Sequence, residues 1–163
     1  MALTAADRDA LIRRYGEGPF RLRAALSAVP SQALKWRPAP GEWSAHEVVG
    51  HCADSETNAY ARIRYLAAET EPLVVDYDQA QWAVTFDYHS HPLDLALATV
   101  EAVRASTLAL LRRLPESAWT RVGRHTASGR YGAEDWLQIY AAHLHDHAAQ
   151  IEANVAAWKA AQR

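Results

Sequence analysis

Trp136, Tyr140, His143, His147, Ile151 and Trp158 follow one another at intervals of three, four or seven residues. At about 3.6 residues per turn those side chains share one face of a helix. Such a helix is stable only when its apolar face is buried against other elements. The segment therefore demands partners of similar length, and the chain supplies three. Thr4 and Asp7 make a capping box with Asp in place of Glu, and the apolar pattern they open runs through Phe20, Leu22, Leu26 and Val29 to Pro30. Within it, Pro19 is expected either to kink the helix or to start a second one. Ser44 and Glu47 form a second capping box, whose helix is predicted to run to about residue 69. A third helix follows Pro92, with Leu93, Leu97, Val100, Leu108, Leu111 and Leu114 at helical spacing until Pro115. The fourth begins near Ala133, where Glu134 and Asp135 complement the helix dipole.

Between these segments, Pro38 and Pro40 make a loop of the stretch before Gly41. Residues 76–82 read as a turn or a brief helix. Residues 120–132 read as a surface loop with room for a small hairpin. No segment shows the strict alternation of a half-buried strand. The expectation is all-α: one domain over residues 1–163, a four-helix bundle whose long connection at residues 70–91 crosses over.

Composition narrows the class of protein. The chain has 163 residues, 50% of them hydrophobic and 22% charged, enough for one core and unlike a disordered chain. Net charge is −2 and Lys and Arg do not cluster, so no nucleic-acid partner is indicated. No apolar run approaches bilayer length, so no membrane partner is expected. One cysteine, Cys52, excludes an internal disulfide and suits a reducing compartment. The first residues lack a signal-peptide layout, so the expected location is cytoplasmic. Cys52 itself reads as a small buried hydrophobe.

The chemistry lies in the histidines. His143 and His147 put two polar rings on a stripe that should be buried, and a bound metal is one way to satisfy them. The bland alternative is a pair of core histidines, each bonded to a carbonyl or hydroxyl. His145 falls on the opposite side of the wheel and reads as solvent-facing. Asp146, at the edge of the stripe, is either a hydrogen-bond acceptor behind a ligand imidazole or a solvated carboxylate. By pattern alone, His51 sits on a mixed face with Glu47, Val48, Asp54 and Ser55, as a surface histidine would.

Trp43-Ser44-x-x-Glu47-x-x-x-His51-x-x-Asp54-x-Glu56, followed by Arg62, resembles the second-helix signature of the DinB-like (DinB/YfiT) metalloprotein superfamily. Asp76, Tyr77, Asp78 and Gln79 with Trp82, the Leu111-x-x-Leu114-Pro115 stretch, and His143-x-x-x-His147 with Gln150 extend the likeness. The resemblance covers roughly residues 11–151. It implies a four-helix bundle with a metal held by His51, His143 and His147. It also implies metal-dependent hydrolysis of a small-molecule substrate, or transfer involving a low-molecular-weight thiol, and a homodimer is typical of such relatives.

Three neutral imidazoles leave a divalent transition metal with an open coordination position, where zinc commonly lowers the pKa of a water to about 7. Zinc or nickel are the leading ions, and iron and manganese also accept imidazole. Glu47, Asp54 and Asp146 are the carboxylates considered as proton acceptors. Two other classes stand beside the enzyme: a non-catalytic metal-binding or stress-response protein whose metal is structural, and an interaction module in which the histidines only pack. Substrate selection is expected in residues 70–91 and 120–132.

Overall fold

The computed structural model describes residues 3–163. Helix α1 spans Ala5–Ser27, and its Thr4–Asp7 capping box closes in both directions. After a 3₁₀ turn at Ser31–Ala33, α2 spans Ala45–Ala68 from the Ser44–Glu47 box. The connection that follows holds the short strand β1 (Leu73–Val74) and helix α3 (Gln79–Thr85), the brief helix expected there. Helix α4 spans Leu93–Leu111 and α5 is one turn, Glu116–Trp119. Strands β2 (Val122–His125) and β3 (Gly129–Gly132) form an antiparallel hairpin ahead of α6, Ala133–Ala161. That hairpin lies where a small one was expected, and β1 pairs with β2 in parallel, which extends it to a sheet of order β1-β2-β3 that the sequence did not announce.

Pairing of the long helices sets the architecture. α1 packs against α6 and α4, and α2 packs against α4 and α6. The ion pairs Arg8–Glu134 and Arg21–Glu152 show α1 and α6 running in parallel. Hydrogen bonds joining His46 to the His91 carbonyl and Arg64 to Thr107 show α2 and α4 parallel as well. By contrast, the Trp136 indole bonds the Ala59 carbonyl while Asn154 bonds that of Trp43, so α2 and α6 are antiparallel. The consecutive long helices α2 and α4 are thus parallel neighbours, and residues 69–92 must carry the chain back along the bundle. That is the crossover expected from its length. Sequence-adjacent α1 and α2 sit on a diagonal.

The core is split in two. One apolar cluster gathers Ile12, Ile63, Leu66, Leu111, Trp119, Trp136 and Leu137. The other gathers Leu22, Val48, Val49, Val100, Leu144 and Ile151. On α2 and α4 the residues between the clusters are Glu56 and Arg104, each 1% exposed. Arg104 donates Nε–H and Nη2–H to Glu56 Oε2 and Oε1, both at 2.6 Å. It also donates to the carbonyls of Tyr15 and Tyr140, each at 2.9 Å. One guanidinium therefore ties all four long helices together. Gly18 makes room for it: a Cβ there would meet Leu144 Cβ at 3.0 Å and Arg104 Nη1 at 3.3 Å.

Pro19 is explained by the same group. Proline lacks the N–H that the carbonyl four residues earlier, that of Tyr15, would accept. Arg104 supplies that hydrogen bond, and α1 continues as one helix through Pro19. The expectation that a second helix could begin at Pro19 is corrected accordingly.

Removing one partner of a buried ion pair leaves the other charge uncompensated, at a cost of about 3–5 kcal/mol. Arg104→Met should lose stability on that scale in urea denaturation. The double change Arg104→Met with Glu56→Leu should lose less, since it removes both charges.

Candidate metal centre

His51 lies two turns into α2 and is 2% exposed. His143 and His147 lie one turn apart on the antiparallel α6, and both are half-buried. The rings of all three converge. Centroid separations are 5.5 Å for His51–His143, 4.8 Å for His51–His147 and 4.6 Å for His143–His147. One nitrogen from each lies within 4.8 Å of the others. Among the described residues this cluster holds those three side chains and no fourth histidine, cysteine or carboxylate.

The far side of each ring sets what the near side offers. His143 donates Nδ1–H to Glu56 Oε1 at 2.8 Å, so its Nε2 carries a lone pair. His147 donates Nδ1–H to Gln150 Oε1 at 2.8 Å, with the same result. His51 Nδ1 is buried without a partner, and the Trp43 ring, 4.8 Å away, holds that imidazole by packing instead. The Nε2 atoms of His51 and His143 face each other at 3.4 Å. Two imidazole nitrogens bound to one tetrahedral ion at about 2.0–2.1 Å stand about 3.4 Å apart. Spacing, tautomers and donor type all fit a divalent transition metal.

Electrostatics keep the lone pairs of His51 and His147 free. Burial, then the neighbouring His147 and His143 rings, lowers the His51 pKa to about 2. Burial and His143 lower that of His147 to about 4, against the hydrogen bond to Gln150. Behind them, burial opposes ionisation of Glu56, but Arg104 and the bond from His143 outweigh it and hold its pKa below the ordinary value. Glu56 is thus an anion locked to a cation on one side and an imidazole N–H on the other.

The three carboxylates considered from sequence are placed elsewhere. Glu47 accepts from the Ser44 N–H and from Arg37 at 2.9 Å each, and His89 stands 3.3 Å away. Burial works against its charge, yet Arg37, the Ser44 N–H and His89 bring its pKa down to about 2, too acidic for a proton acceptor near neutrality. Asp54 accepts the Tyr88 hydroxyl at 2.6 Å, which straps the crossover connection onto α2. Asp146 is exposed, and the acceptors behind the ligand-type imidazoles are Glu56 and Gln150. His145 also departs from expectation: it is half-buried against α1 and bonds the Arg14 carbonyl at 2.9 Å. Cys52 is fully buried, and burial raises its thiol pKa well above the ordinary value. Among the described residues, no helix is long and apolar enough to cross a membrane.

A helical bundle with three convergent imidazoles from two antiparallel helices belongs to the class of bundle metalloproteins. The profile described as DinB superfamily matches residues 15–151, and the chain belongs to that superfamily. It is 34% identical over 111 residues to a "putative metal-dependent hydrolase" of Oceanobacillus iheyensis; the match covers 68% of this chain and 64% of that relative's length. It is 27% identical over 151 residues to the "putative metal-dependent hydrolase YfiT" of Bacillus subtilis, covering 92% and 85% of the two chains. A solved structure described as "YfiT from Bacillus subtilis is a probable metal-dependent hydrolase with an unusual four-helix bundle topology" superposes with a TM-score of 0.87, at 27% identity over 94% and 88% of the chains.

Two measurements test this reading of the site. Gln150→Ala removes the acceptor that orients His147 and should weaken metal binding about 10–100-fold without unfolding the bundle; competition with a chromophoric chelator reads the change. In metal-free protein, both His51 and His147 bind protons less readily than the ordinary value of 6.5 seen in an unfolded chain. Their depressed values favour the unfolded state as it protonates, so stability should be at its plateau above pH 6.5 and fall as the pH drops toward 4. Urea midpoints measured across that window should flatten in His51→Gln.

Proposed function

We propose that this protein is a metal-dependent hydrolase of a small-molecule substrate, with one divalent transition ion held by His51, His143 and His147. The observation that carries the reading is the pair of Nε2 atoms at 3.4 Å, with Glu56 and Gln150 holding the protons of the two α6 rings on their far nitrogens. A site whose purpose is structural is usually closed by four protein ligands, and this cluster offers three. That count supports a catalytic role, as do the names carried by the relatives.

The chain's own residues divide the work. Glu56, held by Arg104, keeps the His143 proton on Nδ1, and Gln150 does the same for His147. Trp43 covers His51 and keeps water from its buried side. The buried Ser55 hydroxyl stands 3.3 Å from His143 Nε2, beside the ring nitrogens that would hold the ion. When bound, the ion supplies a Lewis acid that polarises a substrate oxygen or makes a water more acidic.

Elemental analysis of the purified protein should find about one transition metal per chain, zinc or nickel foremost. His147→Ala should abolish it while helical circular dichroism persists. Metal-stripped wild-type protein should lose hydrolysis of a panel of small esters and amides and regain it when the ion is restored. A stripped chain that unfolds would assign the metal a structural role instead.

A further inference from the structure

Three arginines are more than nine-tenths buried, and two of them have a counter-charge. Arg8 pairs with Glu116 and Glu134, and Arg104 pairs with Glu56. Arg62, 9% exposed, forms no ion pair among the described residues. Its Nη2–H donates to the Val75 carbonyl at 2.5 Å and its Nη1–H to the Tyr140 hydroxyl at 3.4 Å. Its Nε–H is buried with no acceptor. Tyr77 carries a second orphan. Its ring lies 5.7 Å from the Arg62 guanidinium carbon, and its hydroxyl is also buried without a partner. Unsatisfied buried donors are rare because each costs the full desolvation of the group, and an uncompensated buried cation costs more.

These groups adjoin the three-histidine cluster. The Tyr140 ring is 5.5 Å from that of His143. Ser55 is close enough to both phenols to favour their ionised forms, but its one hydrogen bond of normal geometry goes to His143, so the Tyr77 hydroxyl is left without one. Burial pushes the Tyr77 phenol up to about 12 and raises that of Tyr140 as well, so both remain protonated donors. Two buried donors, the Arg62 Nε–H and the Tyr77 O–H, are thus left without an acceptor beside the three-histidine cluster.

We propose that Arg62, Tyr77 and Tyr140 form a recognition site for the carboxylate of an anionic substrate, next to the three-histidine centre. The claim deepens the hydrolase reading and rests on it for the word substrate. The orphan Arg62 Nε–H and Tyr77 O–H supply one donor to each of a carboxylate's two oxygens, and the guanidinium supplies the counter-charge. The substrate class is then a small ester or amide that carries a carboxylate. Arg62 selects and orients it, and the histidine centre lies within the length of a small molecule.

The test titrates benzoate and acetate, with inorganic phosphate for comparison, into metal-stripped and zinc-loaded protein, read by tryptophan fluorescence and calorimetry. Wild-type protein should bind the carboxylates in both states and gain thermal stability from them. Arg62→Gln should weaken that binding by about tenfold or more, as loss of a charged hydrogen-bonding partner does. Its zinc uptake should stay unchanged. Equal binding by wild type and Arg62→Gln overturns the proposal, as does binding confined to the zinc-loaded state or a preference for phosphate. Should Arg62→Gln fail to fold, Tyr77→Phe deletes only the orphan hydroxyl: a severalfold loss supports the site and undiminished binding overturns it. Failure of zinc uptake in wild-type protein would sink the metal reading alone, because the carboxylate titration of stripped protein stands apart from it.

Discussion

The Arg104–Glu56 pair is the interaction on which the rest of this bundle depends. Two opposite charges sit out of water between two apolar clusters, in a geometry where each guanidinium donor described has an acceptor. Burying charges is costly unless every lone pair and proton is met. Here the acceptors come from the other three long helices: the Tyr15 carbonyl of α1, Glu56 of α2 and the Tyr140 carbonyl of α6, around Arg104 of α4. The arrangement specifies one register. Sliding any helix by a turn would leave a buried charge or carbonyl unpaired. Pro19, unfavourable inside a helix by itself, belongs to this network because it frees the carbonyl that Arg104 takes.

The same pair reaches the functional site through one further hydrogen bond. Glu56 is kept ionised by Arg104, and its second task is to hold the Nδ1 proton of His143. Packing thereby selects a tautomer, and the tautomer determines which nitrogen offers a lone pair. Topology is the other requirement. α2 and α6 must be antiparallel neighbours for His51 to meet His143 and His147, and the crossover at residues 69–92 lets α4 lie parallel to α2 so that Arg104 comes level with Glu56. The connection is fastened by Tyr88 to Asp54 and brings Tyr77 over Arg62. Structure and recognition thus share one segment. Arg104 and Arg62 also form an instructive contrast: one is neutralised by the fold, and the other is not.

Residues that act locally are legible in the sequence itself. Both Ser/Thr capping boxes, the helical stripes and the His143–His147 stacking follow from spacing along one helix, and each appears as expected. Where the reading of residues failed, the deciding partner was distant in sequence. Glu47, one of three carboxylates that spacing left open as proton acceptors, is a capping carboxylate already occupied by the Ser44 N–H, and Arg37 and His89 complete its occupation. Glu56 stands in the second-helix signature but had no role assigned, because its importance comes from Arg104, 48 residues away. His145 was assigned to solvent from a helical wheel, which knows nothing of α1 lying alongside.

The sequence alone determined that this chain is a bundle of long helices, where those helices begin, and that two histidines share a face, since each depends on neighbours within a turn or two. A likeness of motif, rather than periodicity, supplied His51. Only the tertiary structure decided which carboxylate stands behind the imidazoles, which arginine lacks a counter-charge, and how the long connection returns the chain. Those outcomes are set by which side chains meet across helices far apart in sequence, and a one-dimensional pattern carries no record of that meeting.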